Sequence, residues 1–494
     1  MNARTVLARV RPGLAGAARV VTAAAVSAGL VWGATAHPVE VDLAAATGAA
    51  EESAARTSLA TSLAAMCPGN ELSGIPGVED VTVGGTVTAA TGPDELLPVE
   101  PEGTGSAGLG AGSAPLAELA PARPATASAD LPRSGPVALD ARGAAAPAVV
   151  GTQEWLRATD DLRGLVTTPC RVATTDLWLL GGGAGPGRQE RLVLTNPGGN
   201  PVTATITVHG AAGPVGSSRS TSVPPGGRVT LLLDAIAPDE ATPAVHVVAG
   251  GGGLHATLTD TWLEGSTPLG AETVVPAADP APVQVVPAAV LGTRAAVRVA
   301  VPGEEEAVAS VSLLGPDGEV PGSEDSVLRV PGGTVAELPL PTVDRGNYGV
   351  VVKADVPVVA AVRTETRGES GPGDIGWSVA APAVTAVGGT ALPATADVVR
   401  SLRVVSTGGA STARVLLVVD GQVRVRTVEL GSEESADVAL SGASAVWVRR
   451  LGGGGELRGG VVSASGPSTG LLLSVMPLGP APVTSPVSRA FPLP

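Results

Sequence analysis

A repeat with a spacing of about 105 residues is the feature of this sequence that most restricts its fold. The segment ITVHGAAGPV (206–215) matches VSLLGPDGEV (311–320) at an offset of 105 positions, so that Val208 matches Leu313. A third copy, LLVVDGQV (416–423), follows the second at an offset of 103 positions. The chain is therefore expected to contain three copies of one structural unit.

The runs between these landmarks have the pattern of β-strands. Apolar and polar residues alternate over short stretches rich in Val and Thr, and Gly-Pro, Pro-Gly-Gly or Asp-Gly turns interrupt them. A unit of roughly 100 residues with about seven strands is the size of an immunoglobulin-like or fibronectin-like sandwich. The sequence predicts an all-β protein with three tandem immunoglobulin-like or fibronectin-like β-sandwich repeats. The repeats are placed at residues 171–280, 285–388 and 397–482.

Composition assigns the remaining segments. Proline-rich joints, expected to act as short semi-rigid spacers, separate the repeats at 276–287 and 382–393. Residues 37–170 are an Ala/Gly/Pro-rich segment with short strands, tied to the first repeat. Within it, 91–135 is predicted to be a flexible loop because it lacks an apolar period. A short helix is predicted at 160–165, and 483–494 form a Pro-rich tail.

Residues 1–36 have the three parts of a secretory signal peptide. Four arginines and no acid lie within 1–19, an uncharged run occupies 20–36, and that run ends in Ala-Thr-Ala. The alternative is an uncleaved signal anchor over 20–36, which would be the chain's one contact with a membrane. A spanning helix needs about 20 residues and prefers Leu or Ile, whereas this run is rich in Ala and Gly. Both alternatives predict a secreted or extracytoplasmic location for the remainder.

The sequence contains two cysteines, Cys67 and Cys170. Disulfides persist in exported proteins, and an even cysteine count favours a bridge. Such a bridge would close a loop of about 103 residues and add roughly 4–5 kcal/mol on the chain-entropy model. Two unrelated buried thiols are the alternative. A bridge would fasten the segment around Cys67 to the first repeat.

The stretch from 165 to 215 resembles a known family. The features shared with it are Cys170, Asp176-Leu-Trp178, the Gly-rich turn 181–187, Leu194-Thr-Asn-Pro197 and the upstream Cys67-Pro-Gly69. They are similar to the core of an uncharacterised actinobacterial family of secreted proteins, catalogued only as a domain of unknown function (family 5719). The resemblance implies an envelope-associated or secreted β-rich protein. It transfers no catalytic residue, because no activity is established for that family.

Composition excludes several classes of protein. With 44% hydrophobic and 16% charged residues, the chain is not a charge-rich disordered protein. It lacks the glycine at every third position of a collagen, and it has at most one apolar run long enough to suggest a membrane span. The net charge is −15 and the sole lysine is Lys353. Nucleic acid is therefore not an expected partner, since binding to phosphate backbones needs clustered cations.

Motifs for catalysis and metal binding are weak. Gly466-Pro-Ser468-Thr-Gly470 fits a nucleophile elbow, but all four histidines precede Ser468 and the elbow requires a later one. His246 and His255 have only Asp260 nearby, which is too few ligands for a zinc site. The sequence therefore predicts no enzymatic activity, no cofactor and no metal.

Tryptophans are the remaining candidates for ligand contact. An exposed indole face can stack on a sugar ring, which makes Trp155, Trp178 and Trp262 candidate glycan contacts. A core role is the alternative, because a single Tyr and a single Phe leave no second aromatic platform. The sequence thus predicts a non-enzymatic envelope scaffold or adhesion and binding module whose partner is an unknown envelope protein or polysaccharide. An envelope-polysaccharide-binding accessory protein is the alternative, and exposed, clustered tryptophans would favour it.

Overall fold

The computed structural model describes residues 58–485 except 160, 292–293, 316–317, 322–325, 368–370 and 468–469. These residues form strands and turns with one 3-10 turn at Asp94–Leu96 and no α-helix, which confirms the all-β prediction. No helix in the described part of the chain is long and apolar enough to cross a membrane. The predicted leader at 1–36, including the anchor alternative at 20–36, lies outside the described residues, as do 486–494 of the tail.

A first β-sandwich occupies the region before the predicted repeats. Its strands are β1 (Ser58–Leu59), β2 (Ser62–Cys67), β3 (Thr86–Ala90), β4 (Gly105–Ala111), β5 (Ala114–Glu118), β6 (Thr126–Asp130), β7 (Val137–Gly143), β8 (Val150–Ala158) and β9 (Arg163–Pro169). Strands β2 to β9 pair as two antiparallel sheets of order β2-β7-β4-β5 and β6-β3-β8-β9. Val87, Leu139 and Trp155 are buried between the sheets.

This sandwich corrects two sequence predictions. The flexible loop predicted at 91–135 is wrong, because that stretch contains β4, β5 and β6. Its inward positions are mostly Ala with an occasional Leu, such as buried Leu109 between two glycines, so the apolar period is faint. The helix predicted at 160–165 is also wrong, since β9 begins at Arg163 and pairs with β8.

Three further sandwiches follow in the chain. The second comprises β10 (Asp176–Leu180), β11 (Arg188–Thr195), β12 (Val202–Gly210), β13 (Gly213–Pro214), β14 (Arg219–Val223), β15 (Arg228–Leu232), β16 (Ala244–Ala249), β17 (His255–Glu264) and β18 (Thr267–Val274). The third comprises β19 (Ala281–Leu291), β20 (Arg294–Ala300), β21 (Ala307–Gly315), β22 (Gly318–Glu319), β23 (Ser326–Val330), β24 (Val335–Pro339), β25 (Gly346–Glu365) and β26 (Ile375–Val379). The fourth comprises β27 (Val387–Ala391), β28 (Val398–Thr407), β29 (Ser411–Val419), β30 (Gln422–Leu430), β31 (Glu434–Ala439), β32 (Ala443–Gly453), β33 (Glu456–Ser465) and β34 (Leu472–Pro477), followed by β35 (Gly479–Pro480) and β36 (Thr484–Ser485).

All four sandwiches have the same strand order. The sheets of the second sandwich run β10-β16-β12-β14 and β15-β11-β17-β18, which repeats the order of the first. In the third, the long strand β25 pairs in both sheets and takes the place of two strands, giving β19-β25-β21-β23 and β24-β20-β25-β26. The sheets of the fourth sandwich run β27-β32-β29-β30 and β31-β28-β33-β34. The architecture thus contains one more copy than the sequence predicted.

The repeat found in the sequence corresponds to equivalent hairpins. In the second sandwich the Val215 amide donates to the Val208 carbonyl at 2.8 Å, and in the third the Val320 amide donates to the Leu313 carbonyl at 2.8 Å.

The boundaries of the units in the structure differ from the predicted ones. Strand β19 begins at residue 281 although it contains two prolines, which an edge strand tolerates because its amides need no partner on the open side. Strand β27 begins at residue 387, ten positions before the predicted start at 397.

The sandwiches pack directly on one another, so the predicted spacer role of the proline-rich joints is wrong. Between the second and third, the buried Arg298 guanidinium donates to the carbonyls of Gly181, Gly182 and Pro243 at 2.8–3.0 Å. At the same register position of the fourth sandwich, Arg403 donates to the Leu314 carbonyl of the third. Both arginines pair with an acid on the adjacent strand.

The fourth sandwich also packs on the first, so the contacts close into a cycle. Trp447 is fully buried and its indole N–H donates to the Ala148 carbonyl at 3.0 Å. Arg400 forms an ion pair with buried Glu154. The second sandwich completes the cycle, because Arg228 donates to the carbonyl of Pro68 in the first at 2.7 Å.

The last strands of the four sandwiches, β9, β18, β26 and β34, meet at the centre of this cycle. Each of them contacts two of the others, in the order β9, β18, β26, β34 and back to β9. Glycines permit the close approach: a Cβ on Gly164 would lie 2.4 Å from the Ala271 carbonyl oxygen, and one on Gly270 would lie 2.3 Å from the Ile375 nitrogen. Larger side chains at these two positions would push the strands apart.

We predict that Thr390→Val lowers the free energy of unfolding by about 1–2 kcal/mol, because it leaves the buried Thr152 hydroxyl without its partner. The two hydroxyl oxygens, in the fourth and first sandwiches, are 2.7 Å apart. The double variant with Thr152→Val should lose less than the sum of the single variants, and a double-mutant cycle in urea measures this difference. Strict additivity would mean that the pair contributes nothing to this junction.

Candidate functional site

The junction between the first and second sandwiches includes the loop that follows Cys67. Cys67 and Cys170 are disulfide-bonded, which confirms the predicted bridge and ties the end of β2 to the end of β9. The loop that follows Cys67 lies against the second sandwich, where Arg228 donates to the Ser73 carbonyl at 3.0 Å. Glu71, in the same loop, is fully buried.

Three carboxyl groups are buried near the central strands. Burial raises the pKa of Glu71 to about 7, although the Thr168 hydroxyl and the Trp155 indole both donate hydrogen bonds to it. Burial likewise raises the pKa of Glu272 and of Asp374 well above the ordinary carboxyl range. Perturbed acids can mark a catalytic site, so their surroundings decide their role.

The surroundings of Glu272 and Asp374 are structural. The Asp374 carboxylate accepts from the backbone N–H groups of Leu473 at 2.8 Å and of its own neighbour Ile375 at 3.0 Å. Glu272 accepts from the Ser474 hydroxyl at 3.1 Å, and that oxygen in turn accepts from the Thr167 amide. These bonds connect β9, β18, β26 and β34. Both acids therefore join the central strands and have no access to a substrate.

A cleft of about 350 Å³ lies between the first and second sandwiches, and we take it as the candidate site. Its main lining residues are Leu72, Leu162 and Arg163 from the first sandwich and Arg188, Arg191 and Trp262 from the second. Strands β11 and β17 position the second group, with Arg188 paired opposite Trp262 in the sheet. Gly187 is required at the end of this pair because it has a φ of 75° and a Cβ there would lie 1.8 Å from the Leu263 carbonyl oxygen.

The cationic groups of the cleft differ in how they are paired. Arg188 is neutralised by Asp260, with an Nη2–Oδ2 distance of 2.5 Å, and also contacts Glu190 at 3.4 Å. Arg163 donates to the Gly470 carbonyl at 2.6 Å, while its buried Nε has no hydrogen-bond partner among the described residues. The buried Nε of Arg191 also has none there. Among the described residues, Arg191 is therefore a cationic side chain of the cleft that has no carboxylate in contact with it.

The structure separates the three tryptophans proposed as glycan contacts. Trp155 is 1% exposed and packed inside the first sandwich, so its prediction as a contact is wrong. Trp178 is 5% exposed, with its ring stacked on His246 at a centroid distance of 4.3 Å and tilted against His209 at 5.2 Å, so too little of the ring is exposed to stack on a sugar. That prediction is also wrong. Trp262 is half-buried and lines the cleft, so it alone of the three stays a candidate.

The arginines of the cleft were not predicted from the sequence. Arg191 is in the run Arg188-Gln-Glu-Arg191 at the start of a strand, where the charges suggest a solvated end. It points away from the sheet face that buries Leu192 and Leu194, so alternation alone assigns it to solvent. Only the packing of the first sandwich on this face buries it, and no pattern in the sequence indicates that contact.

The fold and the cleft define an all-β protein of four like sandwiches with a cleft between the first and the second. The chain belongs to a family of unknown function, DUF5719, whose profile matches residues 125–441. The family resemblance expected from residues 165–215 is thereby confirmed.

Other comparisons add little. A search of the curated proteins finds no match. Among solved structures, the crystal structure of Thermotoga maritima 1070 is 15% identical with a TM-score of 0.19, covering 21% of this chain and 93% of that one. A structure of the lipid-containing bacteriophage PM2 is 11% identical with a TM-score of 0.11, covering 57% and 84%. An anti-sigma factor domain-containing protein from Clostridium clariflavum is 9% identical with a TM-score of 0.10, covering 68% and 85%. Likeness at these scores supports no argument about function.

Proposed function

We propose that this chain is an exported, non-enzymatic protein of the cell envelope that acts as a scaffold or an adhesion and binding module. The observation that carries the proposal is the fourfold repetition of one sandwich in a closed cycle. Each copy has an outer strand, β5, β14, β23 or β30, that pairs with one neighbour only among the described strands. An extended segment of a partner can add to such an edge through main-chain hydrogen bonds. Four edges held in fixed positions would engage several segments at once.

Two features support export. The pattern of residues 1–36 is typical of a secretory leader, and the bridge between Cys67 and Cys170 is of a kind that persists in oxidising compartments. The positions of two acids with raised pKa values support a binding role without catalysis. Glu272 and Asp374 are enclosed and hold the central strands together, so their raised pKa values serve no substrate.

A polysaccharide-binding accessory role is the second candidate function. It is favoured by Trp262, which lines the cleft beside cationic side chains. The remaining four tryptophans of the described part of the chain are at most 5% exposed, and this dispersed burial favours the scaffold role for the molecule as a whole.

The test uses the full chain with a C-terminal affinity tag in the cells that produce it. A protease added to intact cells should digest the chain, and a variant that lacks residues 1–36 should be protected. Cross-linking in intact cells followed by purification should recover envelope proteins or glycans with the chain. Protection of the full chain from the protease would contradict export, and recovery of the chain alone would contradict the scaffold role.

A further inference from the structure

We propose that the cleft between the first and second sandwiches binds a pyranose that carries a carboxylate, with Arg191 holding the carboxylate and Trp262 contacting the sugar. The inference rests on the proposed binding role and names the ligand class for its second candidate function. It is independent of where in the cell the protein resides. Three features of the cleft support it: the unpaired guanidinium of Arg191, the oriented indole of Trp262 and the volume of the space.

Arg191 is the central observation. The residue is 5% exposed and lines the cleft, and within the described residues no hydrogen bond or ion pair to its guanidinium is found. Arg298 and Arg403, which are buried to a similar extent, each have an acid beside them. A buried charge without a partner is costly, whereas a paired one is tolerated. An anionic ligand in the cleft would supply the missing partner.

The electrostatics of the cleft agree with this assignment. Burial lowers the pKa of Arg191, and the charge of Asp80 opposes that shift from a distance without an ion pair. Of the described residues that line the cleft, Asp161 is the one acid, and it is exposed at the rim, where the Thr159 hydroxyl donates to it at 2.7 Å. The interior of the cleft therefore favours a negative group on the ligand.

Trp262 indicates which class of ligand carries that negative group. The residue is half-buried and lines the cleft. The Arg188 guanidinium carbon is 5.2 Å from the ring centroid, so the indole is held in place by a group that is itself anchored to Asp260. An oriented, half-buried indole that lines the cleft suits a ligand with a C–H face, which is a property of a sugar ring.

The volume of the cleft and the net charge of the chain narrow the class of ligand further. A volume of about 350 Å³ lies at the small end of ligand sites and fits a single sugar with part of its neighbour. Leu72, Leu162 and Leu263 provide apolar contact around it. The chain carries a net charge of −15, which repels a long polyanion. One acidic residue within an otherwise neutral saccharide is therefore the ligand that the cleft fits best.

The experiment titrates the purified full chain with D-glucuronate, D-glucose and inorganic phosphate to roughly 10 mM, followed by tryptophan fluorescence and calorimetry. Glucuronate should bind, and glucose should bind at least about 30-fold more weakly because it lacks the carboxylate. Arg191→Met should lose binding by about 30-fold or more, and Trp262→Leu should also weaken it. Arg329→Met, which removes an exposed arginine of the third sandwich, is the matched control and should leave binding unchanged.

A stability measurement separates a ligand-binding Arg191 from a structural one. Because the charge is buried without a partner, Arg191→Met should leave the melting midpoint of the ligand-free protein unchanged or raise it. The proposal is overturned if glucuronate does not bind, if Arg191→Met binds it equally well, or if that variant melts well below the wild type. Binding of phosphate without glucuronate would also overturn it and would assign the cleft to phosphate. None of these results would alter the protease and cross-linking outcomes that test the scaffold role.

Discussion

Replacing Arg298 with alanine should lower the free energy of unfolding by about 3–5 kcal/mol, the largest effect of any single substitution that we predict. The variant leaves the carbonyls of Gly181, Gly182 and Pro243 without their donor at the junction of the second and third sandwiches. It also removes one of the two arginines that pair with Glu337. Desolvated acceptors that lose their partner cost more than the intact bond contributes.

The measurement is equilibrium unfolding in urea with the disulfide intact, followed by tryptophan fluorescence. Trp377 reports on this junction directly, because the Arg298 guanidinium carbon is 4.7 Å from its ring centroid. Arg329→Ala is the matched control: Arg329 is exposed and pairs with Glu306 at 3.0 Å, so its loss should change stability by less than about 0.5 kcal/mol. Equal losses in both variants would show that the sandwiches do not depend on this junction.

Stability should fall as the pH rises from 5 to 7.5. Burial raises the pKa of Glu71 to about 7 from an ordinary 4.5, so the folded chain holds a proton that the unfolded chain releases across this range. Its contribution falls by up to about 3 kcal/mol between pH 4.5 and 7 and is then constant. The raised pKa values of Glu272 and Asp374 change stability with the same sign.

Other titratable groups also affect how the stability of the protein changes with pH. Burial lowers the pKa of His255 to about 3, so that residue makes the protein more stable as pH rises towards 6.5, with the opposite sign. Arg228 beside Glu71 and Arg163 beside Asp374 oppose the raised pKa values without reversing them. Burial also raises the pKa of Glu190 to about 7, with the same sign as Glu71. The acids with raised pKa values outnumber the one histidine, so the net effect of rising pH is a loss of stability.

Glu71→Gln isolates the contribution of one group. Glutamine keeps the shape and cannot ionise, so any constant effect of the substitution cancels when the two proteins are compared at several pH values. Relative to the wild type, the variant should gain up to about 3 kcal/mol between pH 5 and pH 7.5, measured by urea unfolding at each pH. A difference that does not change with pH would mean that Glu71 is ionised in the folded protein.

The hairpins were predictable from sequence because their turns need particular residues. The Gly-containing turn after Val208 and the one after Leu313 close with the same backbone hydrogen bond, and the residues that make the turn are the ones that repeat. The first sandwich was missed because Ala and Gly replace Val and Ile in its strands, as in β4. A strand of that composition has too little apolar contrast between its two faces.

The cycle of contacts was not predictable, because its key residues have the pattern of solvent-facing ones. Arg298 lies between Val297 and Val299, and this alternation normally places an arginine in water. The opposite face of its sheet is buried only because another sandwich packs there. Arg191 was missed for the same reason. A sequence pattern records which face of a strand points inward, but it does not record whether a second sandwich covers the other face.

Closure of the cycle is the central claim, and cross-linking between the first and fourth sandwiches tests it most directly. The hydroxyl oxygens of Thr126 and Ser444 are 3.2 Å apart although the residues are 318 positions apart in sequence. The double variant Thr126→Cys, Ser444→Cys should form an intramolecular disulfide under mild oxidation and migrate faster on a non-reducing gel. The pair Thr126→Cys, Val327→Cys, which places the second thiol on the third sandwich, should not. If both new thiols of the first variant remain titratable after oxidation, the sandwiches do not close into a cycle.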